Sequence, residues 1–359
     1  MRILEIIPTL GSGGAERFVV DLSNELCEKD NVEVMLLTLY DISESDIFAS
    51  FLSKRVRLYS LGKKPGLSIT AYFRIFKLVR QIHPDIIHSH LDAIIYLLFS
   101  ILFNSRTVKY YHTIHNDAYK EACGVRRFFR KVLFKWNLCT PVTISKISQD
   151  SFKRLYGRNA PLVFNGVSNS SIDEFIPTNY RLSNYTKILL NIGRVMKQKN
   201  HLMLLKVVSR LIADGEDIVL LHIGRVEESL LFEELKSYIN DRIIFLGEMQ
   251  NVRPYLKYAD FFCLTSLYEG LPISLLEAFS VGCIPVCTPV GGCVDVIRNS
   301  VTGFLSENLF EDNYYSLLKT VLHMKDEKKR RIQFNLIQEY EEKYSIKVCA
   351  SQYLALFLE

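Results

Sequence analysis

The sequence predicts an α/β protein built from two doubly wound parallel sheets, on three observations. Apolar, β-branched runs alternate with amphipathic helical stretches along the chain. From Val167 to Tyr185 the alternation stops in a polar stretch, VSNSSIDEFIPTNYRLSNY, and then restarts. The length, 359 residues, suits two domains of ordinary size. The boundaries expected are a first domain over 1–166, a linker over 167–184, a second domain over 185–338 and a terminal segment over 339–359.

In the first half, Arg2–Ile7 reads as a buried parallel strand ended by Pro8. The loop TLGSGGAER follows, then a helix through Phe18, Val19, Leu22 and Leu26. Strand, Gly-rich turn and helix suit a phosphate, because glycine lets the backbone approach and the helix N-terminus favours negative charge. Gly13 and Gly14 are the candidates; a tight turn that needs glycine is the plain alternative. Strands are expected at VEVMLLTL, Arg55–Leu61, Asp85–His90, Val108–Thr113, Pro141–Ser145 and Pro161–Gly166, with a helix over Leu67–Ile82. Four histidines fall at strand ends: His88, His90, His112 and His115. Imidazoles there can donate or titrate near neutral pH. A zinc site is disfavoured, since no Cys or carboxylate is spaced to complete it.

GVRRFFRKVLFKWN (Gly124–Asn137) puts Phe128, Phe129, Val132, Leu133 and Trp136 on one helical face, rimmed by Arg126, Arg127, Arg130, Lys131 and Lys135. Such a helix suits an anionic membrane surface. It equally suits packing on the sheet with snorkelling cations, and both readings stay open.

In the second half, strands are expected at KILLNIG, DIVLLHIG, RIIFLG, DFFCLTS and IPVCTPVGG, with a helix over Leu202–Ile212. Arg194 and Lys199, five apart after the first of these strands, can clamp a diphosphate and neutralise a leaving group. EGLPISLLEAFSVG (Glu269–Gly282) carries two carboxylates eight residues apart. Pro272 is expected at the first helical position and Gly282 at the C-cap. Glu269 then lies in the loop and Glu277 inside the helix, roughly 12 Å further along at ~1.5 Å per residue. Between them, Gly270, Leu271, Pro272, Ile273 and Ser274 frame the free amides of a helix start, an anion site. Carboxylates repel phosphate, so each is read as an acceptor for hydroxyls. Hydroxyls flanking a phosphate describe a nucleotide sugar.

This stretch resembles the Glu-x7-Glu signature of the retaining glycosyltransferases of family 4, also called group 1, which have the GT-B fold of two Rossmann-like domains. GGAER, the HTIHN segment, G-R-x4-K and VGGCVDVI resemble further segments of that family, with Asp295 where Glu is usual and Arg225 where a second Gly is common. The resemblance implies donor binding in the second domain, Glu277 on the ribose, Glu269 at the donor sugar and Arg194 with Lys199 on the diphosphate. It implies His115, with His112 as runner-up, beside the transferred sugar. Two amphipathic helices are expected to finish the chain, and the resemblance implies that the last, about Glu339–Glu359, returns to the first domain. The reaction expected is transfer of a hexose or N-acetylhexosamine from a nucleoside-diphosphate sugar, UDP-linked foremost, to a glycan or lipid-linked saccharide of surface polysaccharide synthesis. No D-x-D motif is present, so no catalytic metal or other cofactor is expected.

Rival readings are a nucleotide-sugar epimerase of the same architecture and a sugar-nucleotide-binding subunit without catalysis. The Glu-x7-Glu stretch opposes the first, and intact Arg194, Lys199, Glu269 and Glu277 oppose the second. A dinucleotide oxidoreductase lacks its G-x-G-x-x-G fingerprint. Net charge is only +5, which gives no ground for nucleic-acid binding. Eight scattered cysteines without a C-x-x-C pair read as reduced thiols of a cytoplasmic protein. The start, MRILEIIPTL, reads as a strand rather than a signal peptide. The longest apolar run, Ala93–Phe103, is too short to cross a bilayer, so any membrane contact is expected to be peripheral, at the inner face.

Overall fold

A computed structural model describes residues 1–169 and 180–359. The chain divides into two compact units, Met1–Ser168 with Ile346–Glu359, and Asn169–Ser345. Most of the stretch read as a linker lies outside the described residues.

In the first unit six strands form one parallel sheet: β1 (Arg2–Ile7), β2 (Glu33–Thr38), β3 (Arg57–Ser60), β4 (Ile86–His90), β5 (Lys109–Ile114) and β6 (Thr140–Thr143). Their order is β3-β2-β1-β4-β5-β6. β1 is apolar on both faces because helices cover both: Ile3, Leu4, Ile6 and Ile7 are all fully buried. The one buried charged residue in it, Glu5, pairs in register with His88 of β4. The helix Ile346–Leu358 belongs to this unit, with Tyr111 Oη donating to the Leu356 carbonyl at 2.9 Å.

The second unit repeats the pattern with β7 (Lys187–Ile192), β8 (Ile218–Ile223), β9 (Ile243–Phe245), β10 (Phe261–Leu264), β11 (Ile284–Cys287) and β12 (Phe304–Leu305). The order β12-β11-β10-β7-β8-β9 is the same winding. In each sheet the strand order reverses between the first and fourth strands, so a crevice opens beyond the carboxyl ends of β1 and β4 and of β7 and β10. Ligands of doubly wound sheets bind at such points.

Three local expectations need correction. Pro161–Gly166 is not a strand. Only Leu162 bridges to Thr143, held by bonds from Thr143 N to the Pro161 carbonyl and from Val163 N to the Thr143 carbonyl, both 2.9 Å. The segment skirts the sheet edge, and Pro161 has no N–H to give a ladder. The chain ends in three helices after β12, Glu311–Leu322, Asp326–Glu339 and Ile346–Leu358, rather than two. Pro272 is the N-cap rather than the first helical residue of Ile273–Val281, since its carbonyl accepts from Leu275 N at 3.2 Å.

The helix Gly124–Lys135 is also turned differently from its expected face. Leu133 and Phe134 are buried in the core, with Phe129 packed beside them. Arg130 is not a rim cation: it is 1% exposed, and it donates to Glu121 Oε1 at 2.9 Å and to the Leu91 carbonyl at 2.8 Å. The outward face carries Val125, Phe128 and Trp136, 83%, 68% and 67% exposed, beside exposed Lys131 and Lys135. Sheet packing is therefore real but uses only one face.

Candidate active site

In the second unit the loops after β7 and β10 are tied together at the switch point. Leu267 N donates to the Gln198 carbonyl at 2.8 Å, and Gln198 Nε2 to the Tyr268 carbonyl at 2.9 Å. Thr265 Oγ1 donates to the Asn200 carbonyl at 3.1 Å. This lacing sets Lys199 against Glu269: Nζ lies 2.6 Å from Oε1, which also accepts from Ser266 Oγ at 2.6 Å. Side chains of Lys199 and Glu269 are 16% and 7% exposed. The pair is thus largely desolvated, where a charge-assisted bond is strong and an orphaned partner is costly. The stem of Lys199 lies over Gly193, where a Cβ would touch its Cδ at 3.3 Å.

Arg194 does not join that pair. Its guanidinium is 3.7 Å from Glu227, which also holds Arg225 at 2.8 Å. Its side chain is half-exposed. The Gly224 loop runs alongside: Gly193 N donates to the Ile223 carbonyl at 2.9 Å and Val195 N to the Arg225 carbonyl at 2.8 Å. A Cβ on Gly224 would overlap the Gly193 carbonyl, which explains the glycine there. Arg225 in place of a second glycine thus leaves the backbone pairing of this loop intact.

Beyond Glu269 the chain enters the helix through buried Gly270, Leu271, Pro272 and Ile273 and half-buried Ser274. Glu277 is 9% exposed within the helix, and Gly282 caps its end in the left-handed conformation at φ 71°. Sequence reasoning missed what supports this turn. Gly292 N donates to the Gly270 carbonyl at 2.5 Å, and Gly291 sits so close that a Cβ would overlap the Glu269 carbonyl. The VGG motif was the available signal.

In the first unit Gly13 is the N-cap of the helix Gly14–Leu26, and Glu16 folds back over it, filling the space a Cβ would need. Within β1 and β4 and just past the end of β5, histidines gather around a carboxylate that sequence reasoning did not single out. Glu5 is fully buried, and its Oε2 is 3.0 Å from His88 Nδ1 and 2.8 Å from His90 Nε2. His88 Nε2 meets Thr113 Oγ1 at 2.7 Å, which meets Tyr353 Oη at 2.9 Å. His90 Nδ1 meets His115 Nε2 at 2.9 Å. Burial opposes charge on Glu5, but the two imidazoles outweigh it and hold the carboxyl down to about 2. Burial and the His88 ring together outweigh Glu5 and push His90 down to about 3. Burial, then His90, pushes His115 well below the usual imidazole range. His112 turns away, to Ser89 Oγ at 3.0 Å, and burial lowers it too.

The ligand atoms of Glu5, His88 and His90 lie within 4.8 Å of one another, a spacing a metal ion tolerates. All eight cysteines are free, and Cys123 is the exposed one. No helix among the described residues is long and apolar enough to cross a membrane.

Comparison with known proteins agrees over nearly the whole length. Residues 173–336 match the family described as glycosyl transferases group 1, and residues 12–170 match glycosyltransferase family 4. The chain is 26% identical, over 100% of itself and 99% of the relative, to a Campylobacter jejuni α-1,4-N-acetyl-D-galactosaminyltransferase named for an undecaprenyl-diphosphate-linked saccharide. It is 27% identical to an Escherichia coli α-1,3-galactosyltransferase named for UDP-galactose and a diphosphoundecaprenol acceptor, over 79% of this chain and 77% of that one. Anabaena HepE, solved with UDP and glucose, superimposes with a TM-score of 0.78 at 16% identity over 99% of both chains. Staphylococcus aureus TarM, solved with UDP, superimposes with a TM-score of 0.82 at 12% identity over 100% of both chains. With two sheets of one winding, a Glu-x7-Glu helix start laced to a G-R-x4-K loop, and both families matched in sequence order, the chain belongs to the GT-B glycosyltransferases of family 4, glycosyl transferases group 1.

Proposed function

We propose that the protein moves a hexose or N-acetylhexosamine from a UDP-sugar to a glycan or lipid-linked saccharide, with retention of configuration and without a metal. The observation that carries this reading is the buried Lys199–Glu269 pair at the β7/β10 crevice, followed directly by a helix start with Glu277 inside it. The amides around Gly270–Ser274 and the cations Lys199 and Arg194 receive the diphosphate. Glu277 accepts the ribose hydroxyls, Glu269 accepts hydroxyls of the sugar, and His115 positions that sugar. The loop at Gly13 and Gly14 serves the donor from the first unit. The bond from the anomeric carbon to the phosphate oxygen breaks, and its electron pair leaves on the nucleotide. Charge grows on that oxygen, where fixed cations and helix amides stabilise it most. The acceptor oxygen attacks the same face and passes its proton to the leaving phosphate. The lipid-linked acceptor rests on the names of the relatives.

The test is thermal unfolding against UDP, GDP, CDP, ADP, dTDP and their sugars in EDTA, followed by transfer with the donor so chosen. A ligand at about a hundred times its Kd adds roughly 2.7 kcal/mol. UDP is expected to shift the transition, and Glu277→Ala to weaken its binding on the order of a hundredfold, as loss of hydrogen bonds to a charged acceptor implies. Wild-type affinity in Glu277→Ala would remove the ribose assignment. No shift with any nucleotide would remove the donor site.

The outward face of Gly124–Trp136 supports a peripheral site on an anionic membrane, which would bring a lipid-linked acceptor to the enzyme and place the protein at the cytoplasmic face. Phe128 and Trp136 supply apolar insertion, and Lys131 and Lys135 supply charge. Reversing both lysines to Glu is expected to lower binding to phosphatidylglycerol vesicles at least about tenfold, at roughly 1 kcal/mol per cation lost. Unchanged sedimentation with vesicles would discard the site. Arg130 has no place in this test, because its replacement strands Glu121 in the core.

A further inference from the structure

We propose that His90, anchored by Glu5, is a positioning residue that fixes the tautomer of His115, so that His115 meets the transferred sugar with an unprotonated Nδ1. This rests on the glycosyltransferase reading, in which His115 attends that sugar.

The hydrogen-bond directions follow from one fixed point. An ionised carboxylate only accepts. Glu5 therefore takes N–H from His88 Nδ1 and from His90 Nε2, which lie at 3.0 and 2.8 Å. A neutral His90 donating through Nε2 must accept at Nδ1. Its partner there, His115 Nε2 at 2.9 Å, then carries the proton, and His115 keeps its lone pair at Nδ1. On the other arm, His88 Nε2 pairs with Thr113 Oγ1 and that hydroxyl pairs with Tyr353 Oη. Every member is satisfied, which is the condition for a buried polar network to be stable.

Packing holds the rings in place. The His90 and His115 ring centres are 5.2 Å apart, and Phe18 sets its edge against both, at 6.2 and 5.9 Å. Glu5 and His90 are fully buried. A carboxylate in the middle of an otherwise apolar central strand has no packing value and costs desolvation. Its worth lies in what it orders, much as a buried carboxylate orients a catalytic imidazole elsewhere. An imidazole offering Nδ1 as acceptor takes a sugar hydroxyl's proton side and stays uncharged. The same Glu5, His88 and His90 atoms would have to surrender these bonds to hold a cation.

The test uses the full chain labelled with 15N-histidine. His115 is assigned by the signals lost in His115→Gln. At neutral pH it is expected to be a neutral imidazole with a slowly exchanging N–H on Nε2. That N–H disappears into solvent exchange in His90→Phe and persists in His112→Gln. A His115 that is cationic, or protonated on Nδ1, overturns the proposal, and this needs no folded variant beyond the assignment. So does about one zinc per chain whose removal by chelator moves the His88 and His90 signals. In transfer assays His90→Phe is expected to lower kcat on the order of tenfold with donor KM little changed. In a His115→Ala background it is expected to cost nothing further; additive losses overturn the proposal. Absence of transfer by the wild type would fail the glycosyltransferase reading alone, since the spectrum reports the tautomer without any substrate.

Discussion

Glu269→Ala is expected to lower kcat/KM for sugar transfer by 10²–10³-fold, on the order of the loss of one preorganised electrostatic group. It is also expected to lower stability by roughly 3 kcal/mol, because it removes one partner of a mostly buried ion pair. Lys199 would lose its 2.6 Å bond, and Ser266 Oγ its acceptor. The ammonium would be left among groups chosen to neutralise it, with only diphosphate to replace them. The two losses separate in Glu269→Gln, which keeps an oxygen for Ser266 and Lys199 but removes the charge. That variant is expected to recover most of the stability and little of the rate. The checks are steady-state transfer and thermal unfolding with and without UDP. Because UDP supplies negative charge beside Lys199, it is expected to stabilise Glu269→Ala more than wild type. Transfer at the wild-type rate by Glu269→Ala would remove Glu269 from the chemistry.

The physical division between what the sequence shows and what it conceals is visible in single residues. Parallel strands such as RILEII and FFCL are legible because burial on both faces demands continuous apolar runs. The placement of Arg194, Lys199 and Glu269 in loops and of Glu277 inside a helix is legible because turn, helix start and residue type are all local. The Lys199–Glu269 pair is not, since 70 positions separate its members and only the β7–β10 adjacency joins them. Amphipathic spacing reveals that Gly124–Asn137 has a face but not which cation turns inward. Arg130 goes in because Glu121, a full nine positions earlier, waits in the core. The histidines were visible at strand ends. Glu5, which organises them, is hidden as one more position of a buried strand, although a lone carboxylate in such a strand is itself a signal, since burial of an unpaired charge is not tolerated.

Gly291→Ala is expected to be nearly as damaging as loss of Glu269, although it adds one methyl group and removes no chemistry. Gly291 has φ 49°, where an alanine pays about 1 kcal/mol or more. Its new Cβ would overlap the Glu269 carbonyl and lie 2.9 Å from that of Gly270. Those atoms are backbone and cannot swing aside, so the turn that carries Glu269 into the helix must move. A displacement of about 1 Å at a positioning group costs on the order of a hundredfold in rate. The control is Gly215→Ala, in the same unit: φ is 94°, so the backbone is strained alike, but nothing lies within 4 Å of the added Cβ. Gly215→Ala is therefore expected to lose about 1 kcal/mol of stability and no activity, whereas Gly291→Ala loses both activity and donor affinity. Equal loss of stability in the two variants, with transfer intact in both, would mean that the Gly291 contact does not position Glu269 and that the VGG segment serves the fold alone.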